Sequence, residues 1–242
     1  MGFHSFLQKK SISFESVMSK TWNNKIFKHI QKGVDEASIK LSEERGACPD
    51  AEEYGFKERF SNKTAVAPTA SISIICGGAS PGVEPVAANS YTHKTLSGSY
   101  NVRNRYLKEV LEKYKKNDQE TWSSITTNQG SVEHLDFLTK NEKDVFKTAF
   151  ELDQRWIVEL GADRTPYISQ AQSINIFLPA DVHKKDLHQI HFQAWKKGLK
   201  SLYYCRSKSI QRAENVNNGL STNVTNDKSK ENQDYEECLS CQ

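Results

Sequence analysis

Phe14, Val17, Met18, Trp22, Ile26, Ile30, Val34, Ala37 and Leu41 recur in steps of three and four, the spacing of one apolar face on a long helix. Ser13 is placed as its N-cap and Gly46 as its stop. Lys25, Lys28, Lys32, Asp35 and Glu36 fall mainly on the other side, a solvated face. The stretch 64–83, TAVAPTASISIICGGASPGV, differs in kind. It is rich in small and hydroxyl residues, β-prone as far as Cys76, and then broken by Gly-Gly and Pro-Gly, so it predicts a buried strand or turn leading into a loop. Tyr106, Leu107, Val110, Leu111 and Tyr114 predict a helix over about Arg103–Lys115. Two further apolar faces follow, Val145, Phe146, Ala149 and Phe150, then Trp156, Ile157 and Leu160.

The segment 173–205 carries the clearest architecture. SINIFL alternates, with Ile174, Ile176 and Leu178 on one side, as a strand does. A helix over roughly Lys185–Lys197 comes next, presenting Leu187, Ile190, Ala194 and Trp195, with Gly198 where a helix stop belongs. LKSLYYC then reads as a second strand. Strand, helix and strand with short connections predict a right-handed crossover and parallel strands, hence an α/β body. From about Ser207 the composition shifts. NVNNGLSTNVTNDKSKENQDYEE holds few apolar residues and much Asn, Ser, Thr and charge, too little to offset its ordering entropy. A boundary near residue 212 divides a folded unit, 1–212, from a flexible tail, 213–242.

A chain of 242 residues has room for one large domain or two small ones. The net charge, 33 − 30 = +3, gives no basic excess of the kind that demands a nucleic-acid partner. The N-terminal region has no apolar run long enough for a signal peptide or membrane span, and MGFHSF misses the myristoylation pattern at Phe6. Five cysteines without an export signal point to reduced thiols and the cytoplasm.

Four features could carry chemistry. Cys238 and Cys241 close the chain as CLSCQ. A structural zinc site needs four ligands, whereas Cys48, Cys76 and Cys205 are scattered and the tail has no His. The remaining readings are an incidental pair or a redox dithiol that closes into a disulfide and reopens by exchange, and the second is favoured. Behaving as a coil, the roughly 26 residues from Arg212 to Cys238 would reach about 28 Å, enough for a shuttle. Tyr203 and Tyr204 are adjacent in a predicted strand. Composition favours ordinary core, because tyrosine favours strands; the alternative is a pair of redox-active phenols, which needs local distortion to stack because strand neighbours point to opposite faces. The segment PTASIS, 68–73, could offer amides and hydroxyls to a phosphate, or be a tightly packed strand of small residues. It is no P-loop, because no Gly-Lys-Ser/Thr follows. His183, His188 and His191 cluster loosely, without the carboxylates a metal site would add.

GFHSFLQKKSISFES, ERGACPD, APTASISIICGGASPGVEP, KTLSGSYNVRN, GSVEHLDFL, DVFKTAFELDQRWIVELGADR, QAQSINIFLPADVH, HQIHFQAWKKGLKSLYYCRS and the terminal CLSC, in that order, resemble the C-terminal part of the large subunit of class I ribonucleotide reductase. The resemblance runs over residues 2–212 and resumes at the final cysteines. It implies the later strands of a ten-stranded α/β barrel and reduction of ribonucleotides to deoxyribonucleotides by a thiyl radical, diphosphates being the family's usual substrates. It also implies roles residue by residue. Pro68, Thr69, Ala70, Ser71 and Ile72 match the loop that holds the substrate's phosphates. Tyr203 and Tyr204 match the radical-transfer pair, Tyr204 nearer the small subunit and Tyr203 nearer the active-site cysteine. Cys238 and Cys241 match the tail dithiol, re-reduced by thioredoxin or glutaredoxin. No cofactor is expected on this chain, the metal-radical cofactor belonging to the small subunit.

The family's effector sites, its radical cysteine with the assisting Asn and Glu, and its two oxidised cysteines have no counterpart here, and neither Cys48 nor Cys76 sits in the radical cysteine's context. Met1 stands directly before the matching segment. The expectation is therefore a split large subunit that is inactive alone and works with a separate N-terminal half and the small subunit. Two alternatives are a non-catalytic fragment docking on the small subunit and a stand-alone dithiol carrier.

Overall fold

The computed structural model describes residues 1–95 and 98–207. The helices are α1 (Phe3–Lys9), α2 (Val17–Arg45), α3 (Pro49–Glu53), α4 (Ala70–Ile75), α5 (Arg105–Lys113), α6 (Gln119–Thr127), α7 (Lys140–Val145), α8 (Gln154–Arg164) and α9 (Lys184–Lys196). An antiparallel hairpin pairs β1 (Ser90–Thr95) with β2 (Gly98–Arg103), and a parallel pair joins β3 (Ile176–Leu178) to β4 (Cys205–Ser207). The α/β reading holds, and β3, α9 and β4 form the predicted parallel crossover. The boundary near residue 212 and the tail lie outside the described residues.

The N-cap of α2 is Ser16, three residues beyond the predicted cap. Ser16 Oγ accepts the Ser19 amide at 3.1 Å, which satisfies one of the orphan donors of the first turn. Ser13 organises the preceding turn instead: its Oγ accepts from the Glu15 amide and its carbonyl from Ser16 Oγ. Gly46 ends the helix as expected, at φ +83°, donating to the Ser42 carbonyl. The apolar face is a correction. The residues of α2 that are buried are Ser19, Asn23, Ser38 and Ser42, while Val17 is 74% exposed and Met18 and Ile30 are also exposed. The middle of the predicted face does pack, Ile26 with its neighbour Phe27 against the main core and Trp22 edge-on to Phe6, and a polar stripe completes the anchoring. Asn23 Nδ2 donates to the Leu160 carbonyl, Ser42 Oγ to the Lys57 carbonyl, and Ser38 Oγ accepts from the amides of Arg59 and Phe60.

The main core packs Phe3 and Leu7 of α1 and Ile157 and Leu160 of α8 with Ile174, Ile176 and Leu178. Helix α9 closes it with Ile190 and Ala194. Trp195, predicted on that face, is 73% exposed, because it follows Ala194 by one residue and so lies about 100° round the helix. A second core joins Leu107 and Leu111 of α5 to Trp122 and Ile125 of α6 and to Phe146. Caps fix these helices: Asn104 Oδ1 accepts from the amides of Tyr106 and Leu107, Asp118 from Thr121, and Thr139 with Glu142 forms a capping box.

His4 is wholly buried, and its Nδ1 accepts from the Val86 amide at 3.0 Å. Burial pushes its pKa from 6.5 down to about 4. Between those values the unfolded chain takes up a proton that the folded chain refuses, so stability is lost as pH falls across that window. This group should remove about 2 kcal/mol of stability between roughly pH 7 and pH 4.5. Denaturant melts of the chain at the two pH values should show the loss, and His4→Gln should have a shallower slope. An unchanged slope in the variant would refute the assignment.

Candidate functional site

The segment 171–178 has a parallel partner on each side. On one side the Val66 amide donates to the Ala171 carbonyl at 3.2 Å and the Ser173 amide to the Val66 carbonyl at 2.9 Å, a single bridge between Val66 and Gln172. On the other side the Tyr203 amide donates to the Ile174 carbonyl at 2.8 Å, and the Ile176 amide donates to the Tyr204 carbonyl at 2.9 Å. The chain from Val66 runs directly into Pro68–Ile72. The predicted phosphate loop and tyrosine pair therefore flank one central segment.

The loop departs from the strand predicted for 64–76. Pairing stops at Val66, and residues 70–75 are helical as α4. The β-branched run that suggests a strand differs from good helix formers by only a few tenths of a kcal/mol per residue, too little to resist the backbone set at Thr69. Thr69 stands at φ +54°, rare for a β-branched residue. Its Oγ1 accepts from the Gly82 amide at 2.8 Å, and its carbonyl accepts from Ser73. Gly82 is itself at φ +48°, and a Cβ there would lie 3.1 Å from the Ala67 carbonyl oxygen, so the returning chain can approach only as glycine. Ser5 and Ser80 exchange hydrogen bonds at 3.1 and 2.8 Å and fasten that return to α1. The amides of Ala70, Ser71 and Ile72 occupy the first turn of α4, where helix geometry supplies no acceptor. Ser71 and Ile72 are exposed. Such amides and hydroxyls can receive anionic oxygens. The alternative of a tightly packed strand does not describe this segment.

Tyr203 and Tyr204 precede β4, which begins at Cys205, later than the predicted second strand. Their ring centroids are 4.1 Å apart, with 50° between the planes. Adjacent residues of a regular strand could not meet this way. In a regular parallel ladder, one residue opposite Asn175 would donate to Ile174 and accept from Ile176. Here Tyr203 donates and Tyr204 accepts, so two residues stand opposite one, a β-bulge. Both rings are nearly half exposed, at 45% and 42%, so the ordinary-core reading of the pair does not hold.

Two buried polar residues back the bulge, and neither is anticipated by the sequence reading. Asn175 Oδ1 accepts from the Tyr204 amide at 3.0 Å. Glu84 accepts from the Asn175 amide at 2.9 Å and from Asn175 Nδ2 at 3.1 Å. Burial raises the Glu84 pKa, opposed by these hydrogen bonds and by the charges of Arg206 and Arg164. Arg164 is fully buried between α2 and the central segment, donating to Gln172 Oε1 at 2.6 Å and to Asn23 Oδ1 at 2.8 Å. Burial lowers its pKa to about 9, which leaves it charged at neutral pH. A polar residue inside the apolar run SINIFL, and Glu beside Pro in GVEP, are the available signals.

Among the described residues no group of three His, Cys, Asp or Glu side chains could hold a metal. His183 caps α9 by accepting from the Lys185 amide, and His188 stacks on Phe192. Cys76 and Cys205 are exposed and Cys48 is half-buried. Cys238 and Cys241 lie outside the described residues. No helix among those described is long and apolar enough to cross a membrane.

A parallel crossover with its loop and tyrosines grouped about one central segment is α/β architecture. The family model "Ribonucleotide reductase, barrel domain" matches residues 1–58 and 49–205, and the chain belongs to that family. It is 47% identical over 230 residues to the ribonucleoside-diphosphate reductase large subunit of Invertebrate iridescent virus 6, covering 93% of this chain and 24% of that protein. It is 42% identical to the large subunit of Invertebrate iridescent virus 3, covering 100% and 38%. The Actinobacillus ureae class Id ribonucleotide reductase alpha subunit superposes with a TM-score of 0.80 at 38% identity, over 89% of this chain and 38% of that one. The chain thus spans about a quarter to two-fifths of the length of these relatives.

Proposed function

We propose that the chain supplies the substrate-phosphate loop, the radical-transfer tyrosines and the tail dithiol of a ribonucleoside-diphosphate reductase. It acts with the remainder of the large subunit and with a small radical-generating subunit. The observation that carries this reading is the Tyr203–Tyr204 ring contact, held in a bulge beside the segment that also pairs with the start of the loop. The uncovered apolar residues of α2, with Ile72 and Ile75 of α4, support assembly with further barrel, since such surface is ordinarily buried.

In this scheme the substrate diphosphate sits on the amides of Ala70, Ser71 and Ile72, with the Thr69 and Ser71 hydroxyls alongside. An oxidising equivalent from the small subunit removes one electron and the phenolic proton from Tyr204. Tyr204 recovers both from Tyr203, and Tyr203 from a thiol on the rest of the large subunit. Substrate reduction takes two electrons and two protons from a thiol pair, leaving a deoxyribonucleotide, water and a disulfide. Cys238 and Cys241 reopen that disulfide and are recharged by thioredoxin or glutaredoxin. The metal-radical cofactor that starts the sequence belongs to the small subunit.

The test begins with a native pull-down of the chain, where the remainder of the large subunit and the small subunit are expected to come with it, followed by assay of the assembly. Ser71→Ala should raise the KM for a ribonucleoside diphosphate roughly tenfold, about 1.4 kcal/mol, with little change in the melt. An unchanged KM would argue against the loop.

A further inference from the structure

We propose that Glu84 and Asn175 are positioning residues that set the Tyr203–Tyr204 pair in register with the phosphate loop. The inference rests on the radical-transfer reading of the tyrosines, but its geometry can be tested apart from that reading.

The bulge creates the need. Because Tyr203 takes the Ile174 carbonyl, the Tyr204 amide loses the acceptor that a regular ladder would give it. Asn175 Oδ1 receives that amide at 3.0 Å. A carboxamide can face either way, and only one orientation serves, because its NH2 would meet the amide as donor against donor. Glu84 removes the choice. One carboxylate oxygen accepts from the Asn175 backbone amide and the other from Nδ2, so Oδ1 must point at Tyr204. Both side chains are buried, at 6% and 2% exposure, where a carboxylate's hydrogen bonds are strong and their loss costly. Glu84 stands two residues after Gly82, whose amide is held by Thr69 Oγ1. A line of hydrogen bonds and one short stretch of backbone therefore joins the loop to the rings: Thr69 to Gly82, Glu84 to Asn175, Asn175 to Tyr204.

The same pair could be a satisfied polar cluster that only stabilises the fold. Exchanging the polarity separates the two. Asn175→Asp sets two carboxylates face to face, and Glu84→Gln sets an NH2 group against a donor of Asn175. The double variant restores every bond, with the polarity of the side-chain bond between positions 84 and 175 reversed. The carboxamide introduced at position 84 keeps its oxygen for the backbone amide and gives its NH2 to the carboxylate introduced at position 175. The second oxygen of that carboxylate is left for the Tyr204 amide. The measurements use the full chain with the subunits that copurify with it. They are hydrogen exchange at the Tyr204 amide and the nuclear Overhauser effect between the labelled rings. Steady-state reduction of a ribonucleoside diphosphate is measured in parallel.

Each single variant should speed exchange at Tyr204 roughly tenfold or more and erase the ring-to-ring signal, and the double variant should recover both. Turnover should follow, with kcat down roughly tenfold to a hundredfold in the single variants, KM unchanged, and recovery in the double. Ring contact that persists in the single variants overturns the proposal. So does a folded double variant that fails to recover the contact, or a double variant that does not fold. If the rings move and return while turnover never changes, the positioning role stands and the radical-transfer reading is what falls.

Discussion

Tyr204→Phe, in the assembled reductase, should leave assembly intact and reduce turnover to background, a loss on the order of a thousandfold or more. Phenylalanine keeps the ring, and with it the contact with Tyr203 at 4.1 Å. It removes the O–H whose electron and proton the proposed relay would carry. The variant should cost little stability, since both tyrosines are nearly half exposed and the ring itself is kept. The backbone bonds that make the bulge, Tyr203 to Ile174 and Ile176 to Tyr204, do not involve the phenols. Tyr203→Phe should behave the same way, because a relay fails when either member cannot be oxidised. Subunit association measured beside turnover makes the outcome decisive. Normal association with no turnover isolates the phenol, whereas full activity in either variant removes the relay.

The parallel crossover is legible because its signals are local and agree. SINIFL alternates, the following helix keeps its period, and Gly198 stops it at φ +75°. The hairpin Ser90–Arg103 escapes such a reading because strands rich in Tyr, Thr, His, Lys, Asn and Ser give no apolar alternation. Helix α4 reads as strand because Ile-Ser-Ile-Ile looks β-prone, whereas one left-handed residue, Thr69, and one distant partner, Gly82, decide the outcome. The tyrosine contact is visible only as a requirement. Adjacent rings can meet if the strand is distorted, and the distortion depends on Asn175, far away along the chain. Long-range polar satisfaction of this kind leaves almost no mark in a short window of sequence. The same holds for α2. Its spacing marks an apolar stripe, and no spacing could say that Ser38, Ser42 and Asn23 would anchor the helix while Val17, Met18 and Ile30 stayed uncovered.

Replacing both tail cysteines, Cys238→Ser with Cys241→Ser, should abolish turnover driven by thioredoxin and spare most of that driven by a small dithiol. Both residues lie outside the described part of the chain, and their spacing and chemistry set the expectation. Each cycle of ribonucleotide reduction consumes two electrons, and a thiol pair separated by two residues can deliver them by closing its own disulfide. A protein reductant is too bulky to enter a closed barrel, so it needs an intermediary, whereas a small dithiol can diffuse to the buried disulfide directly. Serine keeps the size and polarity of cysteine but cannot exchange. The loss with thioredoxin should approach background, while the rate with the small dithiol should stay within roughly threefold of the parent, less than about 1 kcal/mol in the barrier. Equal failure with both reductants would mean that these cysteines serve the barrel itself and carry nothing to it. Equal success would take them off the path altogether, leaving this chain with the loop and the tyrosines as its part in the reaction.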